Sequence, residues 1–168
     1  MTGAVVWFTG LPASGKSTLA RAVAARLREA RREPVVLDGD DVRAALVPSP
    51  GHDPSARDGF YRTLGGLAGM LAQDGLIVLV AATAHQRAWR AHARGLAPRF
   101  VEVYLATPLG ECRRRDHDLG LLRRLVRHRG ARQPGRRRRV QALGVAPGGD
   151  ARAIDAILAH LAIGGIDP

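Results

Sequence analysis

The sequence is short of cysteine, lysine and aromatic residues, and it holds no long apolar run. One cysteine, Cys112, stands among 168 residues. A disulfide framework within the chain is therefore excluded, and the composition suits a reducing compartment. The first residues carry no charged leader, apolar stretch and small-residue cleavage site in succession, which argues against export. Nowhere are there the roughly 18–20 uninterrupted apolar residues that cross a bilayer. A cytoplasmic location without membrane contact is the expectation. Aromatic residues make up only 4%, against 46% hydrophobic and 24% charged, so an aliphatic core in a globular chain is expected. The length suits one domain over 1–168.

The scarcity of lysine is the more informative absence. Of 26 basic residues, 25 are arginine and one, Lys16, is lysine. The formal net charge of +11 is unevenly spread. Residues 113–139 hold twelve arginines against Asp116 and Asp118, and the rest of the chain is nearly neutral. Charge is thus the property of one segment. That segment has no aromatic platform and no nucleic-acid-binding motif, so it is a weak case for a nucleic-acid module.

Apolar runs alternate with helical periodicities. Ala4–Thr9 reads as a buried strand, and Ser17–Ala30 as a helix with Leu19, Ala20, Val23, Ala24 and Leu27 on one face. Val35–Asp38 reads as a second strand. Asp40 and Asp41 favour the start of a short helix ahead of Val42–Leu46. Asp53-Pro54 opens a helix to about Gln73, followed by a strand over Leu76–Ala82 and a helix over His85–Leu96. Phe100–Leu105 is a strand, Pro108–Arg115 a helix started by Thr107, and Asp150–Ala162 a final helix. The pattern predicts an α/β fold in three layers, a mostly parallel sheet with helices on both faces. Residues 117–149 resist assignment.

The solitary lysine falls inside Gly10-Leu11-Pro12-Ala13-Ser14-Gly15-Lys16-Ser17, followed by Thr18. This is the G-x-x-x-x-G-K-S phosphate loop, between a predicted strand and a predicted helix as it must be. Its glycines let successive N–H groups face a phosphate, and the helix N-terminus adds its dipole. Lys16 is the candidate for the β- and γ-phosphates, and Ser17 the candidate Mg²⁺ ligand. ATP and Mg²⁺ are the expected ligands. Asp38-Gly39-Asp40 ends the next strand at the same sheet edge, where one carboxylate can orient metal-bound water and the other can accept a hydroxyl proton. Helix capping is the plainer use of Asp40 and Asp41.

Beyond the loop, Leu37-Asp-Gly-Asp-Asp-Val-Arg43, Arg57-Asp-Gly-Phe-Tyr-Arg62 and Phe100-Val-Glu-Val-Tyr through Pro108-Leu-Gly-Glu-Cys-Arg-Arg-Arg-Asp116 follow in order. Together these segments resemble the adenylylsulfate (APS) kinases, a P-loop family. The resemblance covers about residues 1–116 and implies transfer of the ATP γ-phosphate to the 3′-hydroxyl of APS, giving PAPS. It implies Lys16, Asp38 and Asp40 as catalytic residues. It also implies Asp40, Arg43, Arg57 and Arg62 on the acceptor and Arg115 on the ATP adenine. Phe60 stands where the family usually has Asn, and packing on the acceptor adenine or in the core are both open to it. Arginine forks suit a phosphosulfate group. A homodimer is compatible with the family.

Two departures stand out. Thr83-Ala-His-Gln-Arg87 replaces an I-S-P-Y-R segment, so Ala84 stands where some members carry a phosphorylatable serine, and His85 lies near the expected acceptor pocket. Residues 117–149 lack the family's K-G-L-Y and P-Y-E-P-P-like elements. They read either as a divergent basic lid or as the product of compensating frameshifts in a GC-rich gene. Three further functions remain open: a P-loop kinase of another small alcohol, a catalytically silent nucleotide-binding relative, and the nucleic-acid module.

Overall fold

The computed structural model describes residues 2–115, 139–142 and 151–162. Five strands form one parallel sheet: β1 (Ala4–Gly10), β2 (Val35–Asp38), β3 (Ile77–Ala81), β4 (Phe100–Leu105) and β5 (Arg139–Ala142). Their order across the sheet is β2-β3-β1-β4-β5. Among the described residues six helices accompany them: α1 (Lys16–Glu29), α2 (Gly39–Ala45), α3 (Pro54–Gln73), α4 (Arg87–Leu96), α5 (Leu109–Arg115) and α6 (Ala151–Ala162).

The central strand shows why the sheet must be covered twice. Every residue of β1 is buried, and strand geometry sends alternate side chains to opposite faces. Val6 and Phe8 pack with Leu19, Val23 and Leu27 of α1 and Ile157 and Leu161 of α6. Val5 and Trp7 pack on the other face with Phe60, Tyr61 and Leu64 of α3 and Trp89 of α4. Each fully buried large side chain of this kind contributes about 1.5–3 kcal/mol. On the second face, α3 and α4 approach so closely that a methyl group at Gly69 would lie 2.7 Å from Leu96 Cβ, and one at Gly65 3.1 Å from Ala93 Cβ. Glycine at these two positions, one turn apart, sets the helix separation.

Element boundaries follow the sequence pattern closely, with instructive exceptions. Asp53 caps α3, its Oδ1 accepting from the Ala56 N–H at 3.0 Å. The cap of α2 is Asp38, whose Oδ1 accepts from Asp40 N–H at 3.1 Å, so α2 starts earlier than Asp40 and Asp41 suggest. Helix α4 begins at Arg87 instead of His85, because Ala84 takes a positive φ of 34° and the chain turns before winding. Thr107 spends its hydroxyl elsewhere, donating to the Ser14 carbonyl at 2.9 Å. Strand β5 lies within the segment the sequence left unassigned and pairs in parallel with β4, Glu102 opposite Arg139 through Leu105 opposite Ala142. The remainder of 117–149, and with it both readings of the lid, falls outside the described residues. No described helix is long and apolar enough to cross a membrane.

Candidate active site

The carboxyl ends of four parallel strands meet at one sheet edge, where such folds bind ligands. Because β3 lies between β2 and β1, the turn after β3 sits between the turns that carry the lysine and the aspartates.

The turn from β1 to α1 is wound on backbone. Ser14 N–H donates to the Leu11 carbonyl at 3.2 Å, Ala13 has a φ of 56°, and Gly15 a φ of 95° at the helix N-cap. An L-residue at Gly15 would be strained in that left-handed conformation. At Gly10 a methyl group would lie 2.8 Å from the Leu105 carbonyl oxygen and 2.9 Å from Ser14 Oγ, so only hydrogen fits between the strands and the loop. Ser14 Oγ is buried without a hydrogen-bond partner among the described residues. Ser17 and Thr18 follow in the first turn of α1, Ser17 half-buried and Thr18 exposed.

Lys16 opens α1, and its Nζ donates back to the Leu11 carbonyl at 2.7 Å. Burial pushes its pKa down to about 8 from 10.5, against the opposing pull of Asp40, Cys112 and Asp38. The two aspartates thus act on the ammonium group through charge, and its hydrogen bond goes to Leu11. Asp38 also lies 4.0 Å from Arg21 Nη2. Cys112 is fully buried on the other side, its thiol pushed up by desolvation, with Sγ 3.7 Å from the Thr107 carbonyl. The thiol is thus a core group beneath the loop.

The remaining candidates divide into three settings. Arg115 donates from Nε to Glu111 Oε1 at 2.8 Å, and a methyl at Gly15 would come within 3.9 Å of its Nη1, so its guanidinium lies beside the phosphate loop. Arg43 stacks over Phe60, its Cζ 3.9 Å from the ring centroid, while Nη1 donates to the Pro50 and Gly51 carbonyls at 2.9 and 2.8 Å. Phe60 is itself a core residue, edge-on to Tyr61 at 5.3 Å. Arg57 is half-buried in the first turn of α3 and acts electrostatically on Tyr61, as does Arg43. Arg62 is exposed and paired with Asp58, Nε to Oδ2 at 2.7 Å, on the outer side of α3.

Sequence reasoning missed a supporting set of side chains. Asp58 also accepts from Trp89 Nε1 at 2.9 Å, tying α3 to α4. The Trp89 ring stacks on Tyr61 at 4.2 Å and meets His85 edge-on at 5.0 Å. Arg90 and Glu102 are buried together, Nε to Oε1 at 3.0 Å, and Arg94 Nη2 reaches Glu102 Oε2 at 2.8 Å. A signal for this triad was available. Glu102 is the lone charge inside the apolar strand Phe-Val-Glu-Val-Tyr-Leu, and Arg90 and Arg94 share a face of the preceding helix.

The family model for adenylylsulphate kinase matches residues 2–128. The adenylyl-sulfate kinase of Chloroflexus aurantiacus is 45% identical over 115 residues, covering 68% of this chain and 62% of that protein. The enzyme of the same name from Rippkaea orientalis is 41% identical over 114 residues, covering 68% of this chain and 63% of its own length. The chain thus spans less than two thirds of these curated relatives. Among solved structures, the APS kinase of Mycobacterium tuberculosis in complex with AMPPNP and APS superposes with a TM-score of 0.74 at 32% identity, over 95% of this chain and 98% of that one. A gluconokinase from Sinorhizobium meliloti shares the fold, with a TM-score of 0.70 at 21% identity and coverage of 97% and 95%.

Proposed function

Since the chain belongs to the adenylylsulphate kinase family, we propose that it transfers the γ-phosphoryl group of ATP to the 3′-hydroxyl of adenylylsulfate, releasing ADP and forming PAPS. The observation that carries this reading is the Lys16 ammonium, partly buried at the head of α1 and resting on the Leu11 carbonyl, with its pKa lowered to about 8. A partly desolvated cation held by a neutral oxygen is a poor resting arrangement, and triphosphate oxygens would complete it. The glycine cradle fits the same ligand.

Phosphoryl transfer asks the protein mainly for position and charge. The Gly10–Thr18 loop would hold the β-phosphate with backbone N–H groups, and Lys16 would stabilise charge on the transferring group. Asp38 and Asp40, at the end of β2 and the start of α2, would lie on the acceptor side, where one of them would take the proton of the 3′-hydroxyl as its oxygen attacks phosphorus. Arg115 would flank the ATP base. Arg43 and Arg57 would bind the acceptor's anionic group, and Arg62 would assist from the rim. Among the described residues no group of three His, Cys, Asp or Glu side chains is arranged to hold a metal. Ser17 Oγ, in the first turn of α1, would hold magnesium, and when bound the ion would neutralise the developing charge. The cytoplasmic location and a homodimeric state belong to this proposal, and a hexameric APS kinase from Thiobacillus denitrificans, 39% identical over 62% of this chain, marks the assembly as something to measure.

An acceptor panel tests the reading. ADP release from ATP-Mg²⁺ should depend on adenylylsulfate and yield PAPS, with gluconate and shikimate giving only background. Faster turnover with either alcohol would overturn the acceptor assignment. A second reading, nucleotide binding without transfer, is favoured by one finding: the family match ends at residue 128, inside the arginine-rich segment. It predicts tight ADP binding with no adenylylsulfate-dependent turnover.

A further inference from the structure

The turn from β3 to α4 is fixed by side chains that arrive from three other places. Thr9 Oγ1, on β1, donates to the Thr83 carbonyl at 2.6 Å. Ala84 N–H donates to the Tyr61 hydroxyl oxygen, on α3, at 3.1 Å. Arg90 Nη1, on α4, donates to the Ala84 carbonyl at 2.5 Å. Ala84 is fully buried and held at a φ of 34°, a conformation an alanine adopts only when its surroundings impose it. Arg90 in turn is held by Glu102 of β4, both about 95% buried, with Arg94 on the second carboxylate oxygen. A buried ion pair of this kind is a weak source of stability, since desolvation offsets most of its attraction. Its geometry is the better account: a fork with one arm on a fixed carboxylate has its other arm aimed at one carbonyl.

The location gives that rigidity a use. The turn lies between the phosphate loop and the Asp38–Asp40 segment, because β3 separates β1 from β2. A methyl at Gly39 would already lie 3.3 Å from the Ala81 carbonyl oxygen and from Ala82 Cβ, so the aspartate segment packs directly on the end of β3. His85, the next residue, is half-buried against Trp89.

We propose that Arg90 is a positioning residue for the acceptor side of the site, acting through the Thr83–Gln86 turn with Glu102 as its anchor. This rests on the phosphotransferase reading above and extends it to residues that do not meet the nucleotide. Arg90 sets where the turn stands, and the turn sets the wall against which the acceptor is aligned with Asp38 and Asp40.

The test compares Arg90→Met, Arg90→Lys and Glu102→Gln with the wild-type full chain. KM for adenylylsulfate should rise about tenfold to a hundredfold in Arg90→Met while KM for ATP stays within about twofold. Arg90→Lys should recover part of the loss, because it keeps one donor. Hydrogen exchange at the Ala84 amide should quicken about tenfold or more in Arg90→Met and less in Arg90→Lys. If Arg90→Met does not fold, Arg90→Lys and Glu102→Gln carry both readouts. Equal changes in the two KM values, or an Ala84 amide as protected in the folded variants as in wild type, would overturn the proposal. Absence of turnover in the wild type would instead defeat the phosphotransferase reading, and the exchange measurement on the ADP-Mg²⁺-bound protein would then decide the positioning of the turn by itself.

Discussion

The turn after β1 and the turn after β3 stand side by side at the same sheet edge, yet they are made in opposite ways. The first is shaped mainly by its own residues: Gly10, Ala13 and Gly15 supply the required backbone, its ammonium folds back on its own Leu11 carbonyl, and one outside side chain, Thr107, reaches the Ser14 carbonyl. The second contains no glycine and is shaped from outside, by Thr9, Tyr61 and Arg90. A turn made mainly from its own residues can be read from eight consecutive letters. A borrowed turn depends on side chains up to 74 positions away, so its position can be altered without touching the catalytic residues.

Substitutions can break that contrast from either side. The largest effect should come from Lys16→Ala, which removes the charge aimed at the transferring phosphoryl group. kcat/KM should fall by about 10²–10³-fold or more, judged by loss of a single preorganised electrostatic contact. Thermal stability should be unchanged or raised, because the lost ammonium was desolvated. A variant that keeps wild-type turnover would remove Lys16 from the chemistry. Tyr61→Phe should act on the other turn with a smaller and different signature. It leaves the buried Ala84 N–H without its acceptor, at a cost of about 1–3 kcal/mol in unfolding free energy. Nucleotide affinity should hold while KM for adenylylsulfate rises. Denaturant unfolding together with the two KM values checks both parts, and a selective loss of ATP affinity would contradict the division.

The same contrast explains what the sequence made legible. Strands β1 to β4, the long helix α3 with its Asp53 cap, and the phosphate loop were readable because each rests on periodicity or on adjacent residues. Strand β5 was not. Four residues amid arginines carry no period of their own and become a strand by pairing with β4. Thr107 looked like a helix start and Asp40 and Asp41 like caps, since local chemistry favours both uses. The fold brought the Ser14 carbonyl within reach of Thr107, and Asp38 took the cap. Arg62 and Phe60 show what a motif leaves open. They stand at acceptor positions in sequence, and the structure pairs one with Asp58 at the surface and sets the other in the core beneath Arg43.

Calorimetric titration with ADP-Mg²⁺ at pH 7 and pH 9 tests most directly whether the partly buried Lys16 ammonium is a phosphate ligand. Without nucleotide, the lowered pKa of about 8 means the free protein sheds this proton between about 8 and 10.5, where the unfolded chain still keeps it. Unfolding free energy should therefore rise with pH across that window. Bound phosphates favour the charged form, so binding at pH 7 should be tight with little proton exchange. At pH 9 it should be up to about tenfold weaker and coupled to proton uptake, seen as heat that varies with the buffer. Lys16→Ala should abolish the pH difference. Magnesium-dependent binding that is equally tight at both pH values, or no binding by folded protein, would contradict the assignment.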